Sequence, residues 1–437
     1  MKQDKLSTQP VKGFRDFVPS DWKIQQYIFN TWRKVCSLNG YQEYNGPVVE
    51  YASIYNKSGD EIGNTGKDLY SFSDRAERTL ALRPEMTPTV GRMIAAYEKS
   101  YPKPIRWFSI AQFFRAERPQ KGRGREFFQL NADIFGDDSV YSDFEIIQLI
   151  VNVMEEFGAT SDMYEVRINN RWFASYYFEN VLKIGNDEKR KVLLSIFDRF
   201  PKKGKEWLYK EIDTVGITVN QEDIEGYLNL DISKVLDYLS GLSFVKNDSS
   251  DSKVEVGILR FYKLLNLIQE SDLKNYCVYD STIARGLDYY TGTVFEAFDK
   301  NPENNRALVG GGRYDDLLSL YRNDSIPAVG FGWGDVTMRI FLENWGLLND
   351  KLPVENIYYF PMLDENLYVD MVNIANKLRK DGKVVVVGTK PQSISGALRD
   401  ANKREYSYVL IYGELERDDN VVKVKNMKTG EENLIKL

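Results

Sequence analysis

Histidine is missing altogether from this 437-residue chain. Its absence removes imidazole acid–base chemistry, the Ser-His and Cys-His nucleophile pairs and histidine metal sites. Cysteine is nearly missing as well. Cys36 and Cys277 stand far apart, which excludes a disulfide framework and a cysteine-based zinc site. No apolar run is long enough to span a bilayer, and the opening MKQDKLSTQP has no signal-peptide core. Basic residues are in deficit, 58 against 64 acidic, for a net charge of −6. A surface that grips nucleic acid everywhere is therefore excluded, while local basic patches stay open. The expectation is a cytoplasmic protein with no membrane partner. Any catalysis must run on carboxylates, arginines, tyrosines and bound ions. Compositional drift in a lysine- and tyrosine-rich proteome would also produce a chain without histidine.

What is present is ordinary for a soluble globular chain, 43% hydrophobic and 28% charged, and its length predicts two or three domains. Asp21 can cap a helix with apolar positions at Trp22, Ile24, Tyr27, Ile28 and Trp32. Residues 41–50 read as a strand that contains Pro47, which suits an edge or an interface. Residues 80–83 form a short strand running into Pro84-Glu85-Met86-Thr87-Pro88, a helix entry. Residues 104–114 and 126–136 are strands around a polar loop, 115–125, that carries five arginines or lysines; this predicts an antiparallel hairpin with a long tip. Residues 143–157 read as an amphipathic helix. From 171 to about 275 helical periodicity and lysine-rich turns predict a helical insertion. Strands resume near 278, 294–298 and 307–310. The segment 327–334 alternates glycine with large residues, which lets a backbone approach a ligand closely. A linker near 348–353 leads to a small α/β domain with strands at 357–361, 383–388, 406–413 and 421–426. Gly63 to Lys67 lacks phosphate-loop spacing and reads as a plain loop.

Residues 283–296, IARGLDYYTGTVFE, carry the densest chemistry. Arg285 offers a forked, permanently charged donor array for a carboxylate or phosphate. Tyr289 and Tyr290 can line a pocket and still read a polar ligand. A surface arginine beside core tyrosines would give the same pattern.

The order of these pieces resembles the class II aminoacyl-tRNA synthetases, and specifically the histidyl-tRNA synthetase family. The strand with Pro47 is similar to the first class II motif, which builds a dimer interface. Phe114-Arg115-Ala116-Glu117, Arg123-Gly-Arg125-Glu-Phe127, Gln129 and Asp133 resemble the second. ARGLDYYTGTVFE and LVGGGRYDDL (308–317) resemble the two signature peptides of the histidine enzyme. The resemblance implies an α+β class II synthetase catalytic core, an antiparallel sheet flanked by helices, in two parts, 1–170 and 276–347. It further implies a helical insertion at 171–275 and a C-terminal α/β anticodon-binding domain at 353–437.

The implied function is a histidine–tRNA ligase. It would activate L-histidine with ATP, with Mg2+ on the phosphates, and transfer it to the 3′ end of tRNA(His), working as a homodimer. Arg115 would clamp the α-phosphate, and Arg285 would bridge it to the amino-acid carboxylate. Glu117, Arg123 and Phe127 would bind ATP. Glu85, Met86, Thr87 and Gln129 would hold the amino acid around its α-amino group. Asp133, Tyr289 and Tyr290 would read the imidazole, and Gln120, Lys121 and Arg125 would meet tRNA. Glu117 could instead pair with Arg115 or Arg118, and Thr87 could simply cap a helix. The third class II motif normally carries an arginine soon after its glycine, yet here Gly334-Asp335-Val336 is followed by Thr337. The implied rival is the synthetase-like regulatory subunit of ATP phosphoribosyltransferase, which typically lacks the anticodon domain.

Overall fold

The computed structural model describes residues 6–56, 69–120, 122–250, 252–283, 290–304, 306–316, 319, 321, 325–348 and 356–437. Arg285, Tyr289, Lys121 and the 63–67 loop lie outside them, as does most of the predicted linker. Residues 1–349 and 350–437 form two separate units.

The first unit is built on an eight-stranded sheet. Its strands run in the order Gln42–Glu43, Ile105–Phe114, Glu126–Phe135, Ala328–Gly334, Ala307–Arg313, Thr293–Asp299, Tyr164–Asn170 and Cys277–Tyr279. Only the two outermost pairings are parallel; the six central strands pair antiparallel. Strand alternation divides the sheet chemically. Leu130, Ala132, Ile134, Val329, Phe331 and Trp333 point to one face and join a large apolar core. The helices Pro19–Leu38 and Val140–Glu156 cover that face, with Trp32 packed on Trp333 at 6.1 Å between ring centroids. Between the signature strand and the second helix sits a buried ion pair. Arg313 donates to Asp143 Oδ2 from Nε at 3.0 Å, to Ser142 Oγ at 2.7 Å, and to the carbonyls of Asp137 and Ser139. Every arm of this buried charge is satisfied, the condition under which burying it is tolerable.

Among the described residues, seven helices between Arg171 and Glu270 share this core. Asn170, Asn186, Asn220, Asp231 and Ser252 cap five of them through side-chain oxygens. Phe173 and Phe261 both pack on Tyr279 of the sheet.

Several sequence expectations shift. The first helix starts at Pro19 with Val18 as cap, so Asp21 lies in its first turn and pairs with Arg339 instead of capping. The expected strand 41–50 is two strands in different sheets, Gln42–Glu43 and Val49–Tyr51, because Pro47 has no N–H to continue a ladder. Val49–Tyr51 joins a three-stranded sheet with Thr79–Leu82 and Ser71–Ser73. The strand expected to end at 310 runs on through Arg313.

The second unit has a five-stranded sheet ordered Val384–Pro391, Ile357–Met362, Tyr408–Ile411, Val421–Asn426, Glu432–Lys436. The first three strands are parallel and the last two antiparallel. Phe360 and Leu410 pack toward the helix Tyr368–Lys380, while Tyr359, Val409 and Ile411 pack toward Ile394–Lys403. Burial on both faces explains the unbroken apolar runs of its parallel strands. The last strand was not expected from sequence.

Candidate active site

The second face of the eight-stranded sheet is floored with glycine. Gly310 and Gly312 pair with Gly332 and Gly330, which pair in turn with Asn131 and Asp133; Gly334 pairs with Gln129. Cross-strand partners point the same way, so five glycines and three polar side chains share one surface. Each of three glycines seats a side chain of the candidate site. A Cβ on Gly330 would lie 1.9 Å from Asp133 Oδ1, and one on Gly332 would lie 2.6 Å from Gln129 Nε2. One on Gly312 would lie 2.9 Å from the Tyr290 ring. The result is a trough in which Gln129, Asp133 and Tyr290 lie over bare backbone in adjacent strands. Asn131 stands between Gln129 and Asp133, and its buried Nδ2 has no hydrogen-bond partner among the described residues.

Asp133 is the electrostatic centre of this trough. It is buried, and its Oδ1 accepts the hydroxyl of Tyr314. Burial pushes its carboxyl up to about 7, against the lowering effect of that hydrogen bond. Beyond the Tyr314 hydroxyl, a carboxylate so placed can accept a hydrogen bond from a donor on a bound ligand. Tyr314 is a site residue that sequence reasoning missed. It lies in the quoted signature GGGRYDD, but its bond to Asp133 spans 181 positions. Asn131 was missed too, although period-two alternation from Gln129 to Asp133 marks it.

Arg115 stands at the far end of the hairpin. Its Nε donates to the Pro84 carbonyl at 3.0 Å and its guanidinium lies 5.0 Å over the Phe127 ring. Next to it, burial raises the Glu85 carboxyl and the Arg115 charge opposes that rise. Thr87 opens the helix Thr87–Tyr97, whereas Met86 is fully buried in the apolar cluster beneath. Thus Arg115, Glu85 and Phe127 are brought together, and Gln129, Asp133 and Tyr290 are brought together further along the same face.

The loop between the hairpin strands is more organised than its composition suggested. Glu117 pairs with Arg123 and not with Arg115 or Arg118. Arg125 donates to the Glu117 carbonyl at 2.9 Å, and its stem lies against Gly13, so it ties the hairpin to the N-terminal segment. Gln120 bridges to Arg123 through backbone and accepts from Arg306 at 2.8 Å.

The sequence model of the family described as "Histidyl-tRNA synthetase" matches residues 13–181 and 231–334. The chain belongs to the histidyl-tRNA synthetase family. The model described as "Anticodon binding domain" matches residues 353–437. Among curated relatives, the histidine–tRNA ligase of Leptospira biflexa is 36% identical over 98% of this chain and 95% of its own length. That of Thermoplasma volcanium is 34% identical over 99% and 97%. The crystal structure of histidyl-tRNA synthetase from Nostoc sp. PCC 7120 has the same fold, with a TM-score of 0.80 and 23% identity over 99% of this chain and 97% of that one. Within the histidyl-tRNA synthetase family model, residues 182–230 fall between the matched segments. The trough strands lie inside them.

Proposed function

We propose that this chain is a histidine–tRNA ligase whose amino-acid and ATP sites occupy the glycine-floored trough. The carrying observation is the juxtaposition of a buried acceptor, Asp133, with Gln129 and Tyr290 on one strip of bare sheet, and Arg115 at its end. Histidine would lie with its imidazole toward Asp133, its N–H donating to the carboxylate. A side chain without that donor leaves the buried acceptor unpaired, which gives strong discrimination. Gln129, Glu85 and Thr87 would receive the α-amino group.

The histidine carboxylate oxygen attacks the α-phosphorus of ATP. A new O–P bond forms, and the bond to the bridging oxygen breaks as pyrophosphate leaves. Both reactants are anionic, so fixed cations must hold them in line. Arg115 would clamp the α-phosphate, Arg285 would bridge that phosphate and the carboxylate, and Phe127 and Glu117 would take the adenine. Magnesium is read as arriving on the nucleotide phosphates. The 3′-terminal hydroxyl of tRNA then attacks the acyl carbon and AMP departs.

On this reading 1–170 and 276–347 carry catalysis, 171–275 contacts tRNA and 353–437 reads the anticodon. The match of 353–437 to an anticodon-binding domain disfavours a purely regulatory subunit. No helix among the described residues is long and apolar enough to cross a membrane, in keeping with a cytoplasmic place of work. A homodimer is supported by Val49, Tyr51 and Phe72, which share one register-aligned face of the three-stranded sheet and are exposed in the single chain. Pyrophosphate–ATP exchange measured with each of the twenty amino acids tests the reading. Exchange driven by histidine alone supports it; exchange driven by another amino acid, or by none, refutes it.

A further inference from the structure

Thr337 occupies the position where the resemblance calls for an arginine, and the neighbouring cations are engaged. Arg339 pairs with Asp21 at 2.9 Å and with Glu343 at 2.8 Å. Arg15 pairs with the buried Asp335 at 2.7 Å. The guanidinium that does reach this place comes from the entry to another strand. Arg306 immediately precedes the strand Ala307–Arg313, and its side chain lies against the tip of the long hairpin. A Cβ on Gly122 would meet Arg306 Cδ at 3.2 Å, Arg306 Nε at 3.6 Å and Thr337 Cγ2 at 3.9 Å. Gly122 has φ +75°, a left-handed turn that also brings the backbone close to this side chain.

The tether is neutral. Arg306 Nη2 donates to the Gln120 side-chain oxygen at 2.8 Å, and no carboxylate among the described residues pairs with it. An amide anchor fixes the direction of the fork without cancelling its charge. By contrast, Arg123 on the same tip is neutralised by Glu117. From the trough outward the hairpin presents Asp133, Gln129, Arg115 over Phe127, the Glu117–Arg123 pair, and finally Arg306 on Gln120. The assigned amino-acid end and α-phosphate clamp are inside; Arg306, which no carboxylate among the described residues compensates, is at the outer end.

We infer that Arg306 binds the terminal phosphates of ATP, supplying from across the sheet the guanidinium that position 337 does not carry. This rests on the reading of the trough as the site of histidine activation. Pyrophosphate leaves as the α-phosphorus is attacked, and a forked donor on its oxygens stabilises the charge that it takes away. Residue 306 needs no partner on its own strand for this, since Gln120 holds it and Gly122 leaves it room.

The test compares wild type, Arg306→Ala and Arg306→Gln in histidine-dependent pyrophosphate–ATP exchange. The KM for ATP, the KM for histidine and the inhibition constant of AMP are measured for each. Loss of a charged hydrogen-bonding contact should raise the KM for ATP roughly tenfold to a hundredfold. The KM for histidine and the inhibition constant of AMP, which has no terminal phosphates, should stay unchanged. Arg306→Gln retains a polar stem for the tip and should behave like the alanine variant, which guards against a folding defect. An unchanged KM for ATP in both variants overturns the inference. Equal weakening of ATP and AMP also overturns it, because that marks a distorted hairpin. Absence of histidine-dependent exchange in the wild type overturns the functional reading and this inference together, whereas an active wild type with indifferent variants removes Arg306 alone.

Discussion

The two faces of the eight-stranded sheet share every backbone hydrogen bond and differ in everything else. On the helix-covered face Leu130, Ile134, Phe331 and Trp333 interdigitate with Trp32 and its neighbours, and all are buried. On the other face the same strands offer Gln129, Asn131, Asp133 and a row of glycines. A shift of one residue in register would exchange the two sets. The contrast explains how a chain with no histidine or reactive cysteine can build a polar site. Side chains are held over bare backbone by one face, and the sheet beneath them is held rigid by the other. Stability and chemistry are thereby assigned to alternate residues of one strand, and they should be separable by substitution.

The largest effect belongs to the covered face. Trp333→Ala should lower the stability of the first unit by about 3–5 kcal/mol, read from urea unfolding, with activity falling only as the folded fraction falls. A stable but inactive variant would break the division between the faces.

Next comes the pH dependence of Asp133. The unfolded chain releases this proton near its ordinary value of 3.8 and the folded chain near 7. The folded state therefore holds the proton more tightly, and its contribution, present below about pH 4, is lost as the pH rises through 7. Asp133→Asn should remove that slope from a plot of unfolding midpoint against pH. Parallel plots for the two proteins would contradict the burial argument.

A smaller change is expected at the glycine floor. In Gly332→Ala the three atoms nearest the new methyl all belong to the end of the Gln129 side chain, which can move aside. The fold should survive while the KM for histidine rises roughly tenfold, as a displaced positioning group implies. The smallest effect should come from Arg339→Ala. Its partners Asp21 and Glu343 are half-exposed, and such pairs are worth about 1 kcal/mol or less. Exchange kinetics should be unaltered, which would confirm that this arginine does not stand in for the one absent at 337.

Much of this was legible in sequence. The long hairpin, the helical stretch after 171 and the strand–helix order of the last domain follow from periodicity and caps. Local reasoning failed where partners are distant or where glycine hides a strand. Gly310–Arg313 continues a strand because flanking strands supply its ladder, which composition does not reveal. Pro47 split an expected strand in two. Tyr314 and Arg306 flank the strand Ala307–Arg313 and bond to Asp133 and Gln120 across 181 and 186 residues, and no spacing rule joins such pairs. Arg313, inside a signature peptide, is a buried anchor to Asp143, Ser142 and the Asp137 and Ser139 carbonyls.

The most direct test of the trough is the separation of two Michaelis constants in Asp133→Asn. Asparagine keeps the size of the side chain and removes the charge that would receive the imidazole N–H. The KM for histidine in pyrophosphate–ATP exchange should rise by roughly tenfold or more, while the KM for ATP, set at the Arg115 end of the hairpin, stays where it is. A variant whose histidine KM is unchanged, or whose two constants rise together, would contradict the placement of the amino acid on this face.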